Sequence, residues 1–358
     1  MTNSAWSRRG LDRHAQFTRC WPQRRRRALR RTNDGLLIFP ALFIALLCVQ
    51  CNVLLTESPW ARKADRVKTA ERMFETFDVH AMCVVSSAVL SLYASGRSTG
   101  VVVHSGADST FIAPVFEGYA LDGRGAYRLD IGGRHLTEHL SRRMHHSGQH
   151  HFATTAELQV ARDIKEKVCY VCMDVEAERE KAEEKSYELP DGQSQFELRA
   201  CSCSLRINRH RCIVSQCECA CYLCASVLLI KEDRYMVPEA LFRPGLIGLS
   251  SHGADHLLCW WVSRLDKELH SDMFSNIVLS GGNTLFDGFG ERLQKSVQSY
   301  LGKDTLVRVV APADRRYSAW IGGSIMASLS TFKSRWISKA ESVSQTDEAA
   351  KTHARGIP

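Results

Sequence analysis

The sequence predicts an α/β protein, and three observations carry the prediction. Short apolar segments of strand length, among them HAMCVVSS, TGVVVHSG and SNIVLS, alternate with stretches whose apolar residues recur at helical spacing. Glycine-bearing turns such as SGADS and SGGN punctuate the alternation. The composition, 44% hydrophobic and 24% charged, suits a packed core and excludes a disordered or fibrous chain. At 358 residues the chain is long enough to divide into two or more lobes.

In chain order, NVLLTESP reads as a short buried strand that runs into a proline turn. KADRVKTAERMFETF spaces its apolar residues for an amphipathic helix. HAMCVVSS is a strand, and AVLSLYASG is a helical turn that Gly96 closes at the C-cap position. TGVVVHSG and STFIAPVFEGYAL pair as strands around a tight turn. LTEHLSRRM and TTAELQVARDIKEKVCYV are helices, the second opening on a threonine cap with an acidic residue in its first turn. DVEAEREKAEEKSYELPDGQ is a charged connection, and YMVPEALFRPG starts a new structured block. HLLCWWVSRLDKELHSDMF reads as one helical stretch. SNIVLSGGNTLFDGFGERLQKSVQSYL is strand, glycine turn and helix, and TLVRVVAPADRRYSAWIGGSIMASLSTFKSRWISKAE is strand, turn and helix. The polar tail 342–358 is expected to be loose.

The net charge of +8 is uneven, with much of it before Leu36 in SRRG and WPQRRRRALRRTND. Such an arm suits nucleic acid, an anionic membrane surface, a targeting signal or a solvated, disordered leader. The apolar run Leu36–Val49 follows it and is shorter than the ~20 residues of a membrane span. A signal anchor has this order of basic and apolar segments, yet it would place everything after residue 55 outside or in a lumen. Half of the 14 cysteines lie between Cys201 and Cys224, and those in apolar stretches such as VCYVCMD read as buried free thiols.

The motifs VLLTESPWARKADRVKTAERMFETFDVHAM, LSLYASGRSTG, VFEGYAL, RLDIGGRHLTEHL, RDIKEKVCYV, PEALFRP, IVLSGGNTLF and YSAWIGGSIMASLSTFKSRWISKAE together resemble the actin family, in that family's order, over 53–193 and 227–341. The resemblance implies an actin-like ATPase fold of duplicated, ribonuclease H-like domains. It implies a small domain from 53–103 and 311–341 and a large domain from 104–193 and 227–310. Residues 1–52 resemble neither the family's first phosphate loop nor its outer lobe. The first domain is therefore expected to be incomplete, with an uncovered sheet edge. An alternative is that non-coding sequence has been read into this segment.

The resemblance also sets VVVHSGADST on the family's second phosphate loop, which reads Asp-Ser-Gly-Asp-Gly at positions 104–108. His104 and Ala107 replace its two acidic residues, so the loop lacks the oxygen ligands a hard cation takes. Ser87 stands where the family has the glutamine that positions the attacking water, and Asp108 is one residue out of place to substitute for Ala107. The hydrolytic positions, Ser87, His104 and Ala107, are therefore expected to be disabled. The residual nucleotide contacts implied are Ser105, Gly106 and Thr110, with Ser280, Gly281 and Gly282 beside the phosphates. On the nucleoside side they are Lys165, Glu166, Phe286 and Arg316. ATP or ADP is the implied ligand, weakly held, with Mg2+ deprived of its carboxylates.

In the segment 194–226, Cys217, Cys219, Cys221 and Cys224 are zinc candidates, with Cys201, Cys203, Cys212 and His210 nearby. Only one CxxC pair is present, and the resemblance makes the segment an insertion into a hairpin of the large domain. The resemblance further implies a cleft lined by Tyr93, Gly96, Ser98, Ile325, Leu329 and Thr331 that accepts an amphipathic helix. The expectation is a divergent actin-like cytoskeletal protein acting by protein–protein interaction, with actin or actin-binding proteins as partners. No nucleic acid or membrane partner is expected, and the location is cytoplasmic or nuclear. The alternative is a polymerising, nucleotide-binding ATPase whose N-terminus has been misread.

Overall fold

A computed structural model describes residues 52–121, 126–148, 150–189, 227–302, 304–339 and 341. The basic arm and apolar run up to residue 51, the cysteine-rich segment with its zinc candidates, and the tail 342–358 lie outside the described residues.

The first elements are β1 (Asn52–Glu57), α1 (Lys63–Glu71, continued by one π-helical turn), β2 (Ala81–Ser86) and α2 (Ser87–Ala94). Then come β3 (Gly100–Ser105), β4 (Thr110–Phe116), β5 (Tyr119–Ala120) and β6 (Tyr127–Leu129). Helices α3 (Gly133–His146), α4 (Thr155–Val168) and α5 (Val175–Lys181) lead to the strands β7 (Lys185–Glu188) and β8 (Val227–Ile230). The remainder is α6 (Asp233–Glu239), α7 (Ala254–Val262), α8 (Lys267–Ser275), β9 (Ile277–Ser280), α9 (Phe289–Leu301), β10 (Val309–Val310), α10 (Ser318–Ser328) and β11 (Ile337–Ser338).

The run Val101-Val102-Val103 explains the larger sheet. Successive strand side chains point to opposite faces, so three consecutive apolar residues need cover on both. Val101 and Val103 join Ile112, Ile277 and Leu279 in a core shared with α3, α4, α7 and α9. Val102 joins Phe111, Val115 and Val278 in a second core with α2 and the smaller sheet. Accordingly β3 is central, in the strand order β10-β9-β3-β4-β5, with β6 also pairing β4. β3 runs parallel to β9 and antiparallel to β4. The smaller sheet has the order β1-β2-β11.

Several local expectations hold. Thr154 caps α4 and accepts from the Glu157 amide at 3.2 Å, while the Glu157 carboxylate accepts from the Ala153 and Thr154 amides. Gly96 follows α2 with φ +73°, the left-handed conformation that ends a helix. Three features differ. The boundary expected after residue 103 falls inside β3, whose neighbours on both sides belong to the larger sheet. The stretch 256–274 is two helices, because the chain turns at Ser263–Asp266 before α8 begins. The charged connection holds α5, with Asp174 accepting from the Glu176 amide, and then β7. β7 pairs antiparallel with β8, with Glu188 opposite Val227.

Candidate functional site

The turn between β3 and β4 is set by register. His104 lies beside Phe111 on β4 and Ser280 on β9, and Ser105 lies beside Thr110. His104 and Ser105 therefore face opposite layers of the sheet, as consecutive strand residues must.

On the α2 side, the His104 ring stacks on Phe111 with centroids 4.7 Å apart. Its Nδ1 is 3.1 Å from Ser280 Oγ, which is 3.0 Å from Ser91 Oγ. The direction of this chain is determined. Ser91 spends its one proton on the Ser87 carbonyl at 2.8 Å, so Ser280 donates to Ser91 and His104 Nδ1–H donates to Ser280. Burial pushes the His104 pKa down to about 4, so the ring is neutral at pH 7, with its Nε2 lone pair left to accept.

On the other side, Thr110 Oγ1 donates to the Ile131 carbonyl at 2.7 Å, and Ser105 Oγ lies 2.7 Å from Thr110 Oγ1. Thr110 has no second proton, so Ser105 donates to it and accepts from Asn283 Nδ2 at 3.1 Å. Asn283 Nδ2 also reaches the Gly106 carbonyl at 2.7 Å, and the Gly106 amide donates to the Ser109 carbonyl. At the start of α3 the Gly133 and Arg134 amides donate to the carbonyls of Gly106 and Ala107 at 2.9 and 2.8 Å. Helix N-terminal amides that would suit an anion are thus given to the turn. Lys165 Nζ, also buried, donates to the Gly133 carbonyl at 2.7 Å and approaches Thr137 Oγ1 at 3.1 Å. Burial lowers its pKa to about 8.

The β9 turn is locked against the same loop. Gly281 has φ +91°, and a Cβ there would lie 2.3 Å from the Ser105 carbonyl oxygen. Only glycine permits that conformation together with that approach. Its amide donates to the Arg315 carbonyl, while the half-buried Arg315 guanidinium donates to the carbonyls of Thr284 and Pro312.

With this geometry in place, a family model described as Actin matches residues 47–348, most of the chain. The chain belongs to the actin family. Its mixed α/β architecture is that of the actin-like ATPase fold.

The actin-family loop in this chain brings together Ser105, Gly106, Thr110, Lys165 and Gly281, with Ser280 on the opposite face of the sheet. The Ser105 and Thr110 hydroxyls and the Gly106 amide, expected to face a phosphate, spend their protons inside the protein. Asp108 is exposed and pairs with Arg134 at 2.9 Å, beside the turn rather than in Ala107's place. Ser87 opens α2, and its carbonyl serves Ser91. Lys165 and Glu166, neighbours on α4, diverge: one is buried, and the other is exposed and bonded to Arg162 at 2.8 Å. Phe286 packs in the larger core, and exposed Arg316 lies over the Tyr317 ring. Among the described residues no group of three or more His, Cys, Asp or Glu side chains is arranged to hold a metal. Positions 104 and 107 of the loop carry no anionic oxygen, and the hydroxyls at 105 and 110 donate within the protein.

Sequence reasoning missed Asn283, Ser91 and Arg315, which hold the two loops together. Asn283 was legible as the polar residue directly after Gly281-Gly282. Ser91 was not, because a serine within LSLY reads as a helix interior. In the cleft expected of the family, α2 packs on α10 so closely that Gly322 lies against the Leu90 backbone. Tyr93 is half-buried with its hydroxyl over Gly118, while Gly96, Ser98 and Thr331 are exposed. Ile325 is 43% and Leu329 46% exposed, one turn apart on α10 and just beyond its end.

Proposed function

We propose that this actin-family chain is a cytoskeletal protein that works by protein–protein interaction and hydrolyses ATP little or not at all. The observation that carries the reading is the 104–110 loop. It has a neutral imidazole and a methyl group where carboxylates would organise a metal, and internal hydrogen bonds consume its hydroxyl protons. The exposed pair Ile325 and Leu329 supports a partner with an amphipathic helix, whose apolar stripe would cover them. Actin or an actin-binding protein is the proposed partner and the cytoplasm the proposed location. Among the described residues no helix is long and apolar enough to cross a membrane.

Calorimetric titration of the full chain with ATP, with and without Mg2+, tests this reading, alongside phosphate release. The expected result is binding that is weak and indifferent to Mg2+, with no turnover. Binding that tightens markedly with Mg2+ and releases phosphate would overturn it in favour of an actin-type ATPase.

A further inference from the structure

Two histidine pairs flank a turn that the nucleotide loop does not use. In MHHSGQHHF (144–152), His145 and His146 end α3, and His150 and His151 follow the turn. Buried Met144 and Phe152 anchor the two arms in the larger core. Gly148, with φ +72°, reverses the chain, and backbone bonds from Gly148 to His145 and from His150 to Met144 close the reversal. His145 and His151 meet across it, their ring centroids 4.4 Å apart and their planes inclined at 51°. His146 lies 6.0 Å from His145, and His150 turns against Phe152.

Inclined imidazoles at this separation can direct one nitrogen each towards a common point, as one metal with N distances of ~2.0–2.1 Å requires. The contrast is His252 and His256, which stack nearly parallel at 26° and 4.2 Å, with His256 Nδ1 buried. Stacked rings do not converge their lone pairs. His145 and His151 are both exposed, so a hydrated ion reaches them without opening the core.

We infer that His145 and His151 form a surface site for a borderline divalent transition metal, Zn2+, Ni2+ or Cu2+. Neutral imidazole is a ligand for this class and a poor one for Mg2+ or Ca2+. No third His, Cys, Asp or Glu among the described residues completes the set, so water fills the remaining positions and the site is open and exchangeable. Binding clips the end of α3 to the segment leading into α4.

The test is calorimetric titration of the full chain with Ni2+, after alkylation of its accessible thiols, beside H145A/H151A and H252A/H256A. The expected result is that H145A/H151A binds one equivalent of Ni2+ fewer than the parent chain, while H252A/H256A keeps it. The same equivalent should survive millimolar Mg2+. Equal stoichiometry and affinity in H145A/H151A and the parent would overturn the site. Because both side chains are exposed, unchanged circular dichroism of the variant separates loss of ligands from loss of fold.

Discussion

Replacing Lys165 by methionine should change how stability depends on pH, because this lysine is charged at a cost. Its side chain is 3% exposed, and burial lowers its pKa from an ordinary 10.5 to about 8. Between those two values the folded lysine is neutral while the unfolded one still carries its proton. The unfolded chain then binds more protons, so stability rises with pH across that window. At about 1.4 kcal/mol for each tenfold change in proton affinity, the whole window is worth about 3 kcal/mol. Most of that accrues between about pH 7 and about pH 10. Methionine fills similar space without titrating, and the Gly133 carbonyl keeps the Thr137 hydroxyl as donor at 2.9 Å. Other groups titrate alike in both proteins and cancel in the difference. Urea denaturation followed by circular dichroism should show the stability of K165M relative to the parent falling by about 2 to 3 kcal/mol over that pH range. A difference flat to within about 0.5 kcal/mol would mean an ordinary, hydrated lysine, and the argument that its ammonium is committed to Gly133 would fail.

Two further outcomes follow from the same packing. G281A should destabilise by more than about 2 kcal/mol, since the backbone is left-handed and the methyl meets a carbonyl. G282A, with open space around its Cα, should stay within about 1 kcal/mol, and equal thermal melting of the two variants would contradict the loop contact. Burial raises the thiol pKa of Cys83 and Cys172 to about 11 and of Cys169 and Cys259 to about 12. Peptide mapping should therefore find all four unmodified after brief maleimide treatment at pH 7 and modified in urea. Modification of Cys169 at the same rate in both conditions would refute its burial.

The legible part of the fold was local. The apolar triplet at 101–103 marked a strand, Thr154 with Glu157 marked a helix start, and Gly96 marked a helix end. These signals lie within a few residues of chain, where backbone geometry translates directly into residue preference. The break at 263–266 was hidden because the apolar spacing runs on through it. The extent of α5 was hidden because a short, mostly charged helix with no buried residue has no apolar stripe to announce it.

For the candidate site, the sequence alone determined which groups are available: residues 104 and 107 carry no carboxylate, whatever the fold. Only the tertiary structure decided what the remaining groups do. His104 is neutral because Phe111 and Ser280, brought beside it from other strands, exclude water from it. Ser105 donates its hydroxyl proton to Thr110, and Thr110 donates its own to the Ile131 carbonyl, 21 residues away in the chain. Lys165 points at Gly133 while adjacent Glu166 points to solvent, because neighbours on a helix diverge by about 100°. Hydrogen-bond partners separated by tens or hundreds of residues leave no periodic trace in the sequence, so only the folded packing could assign them.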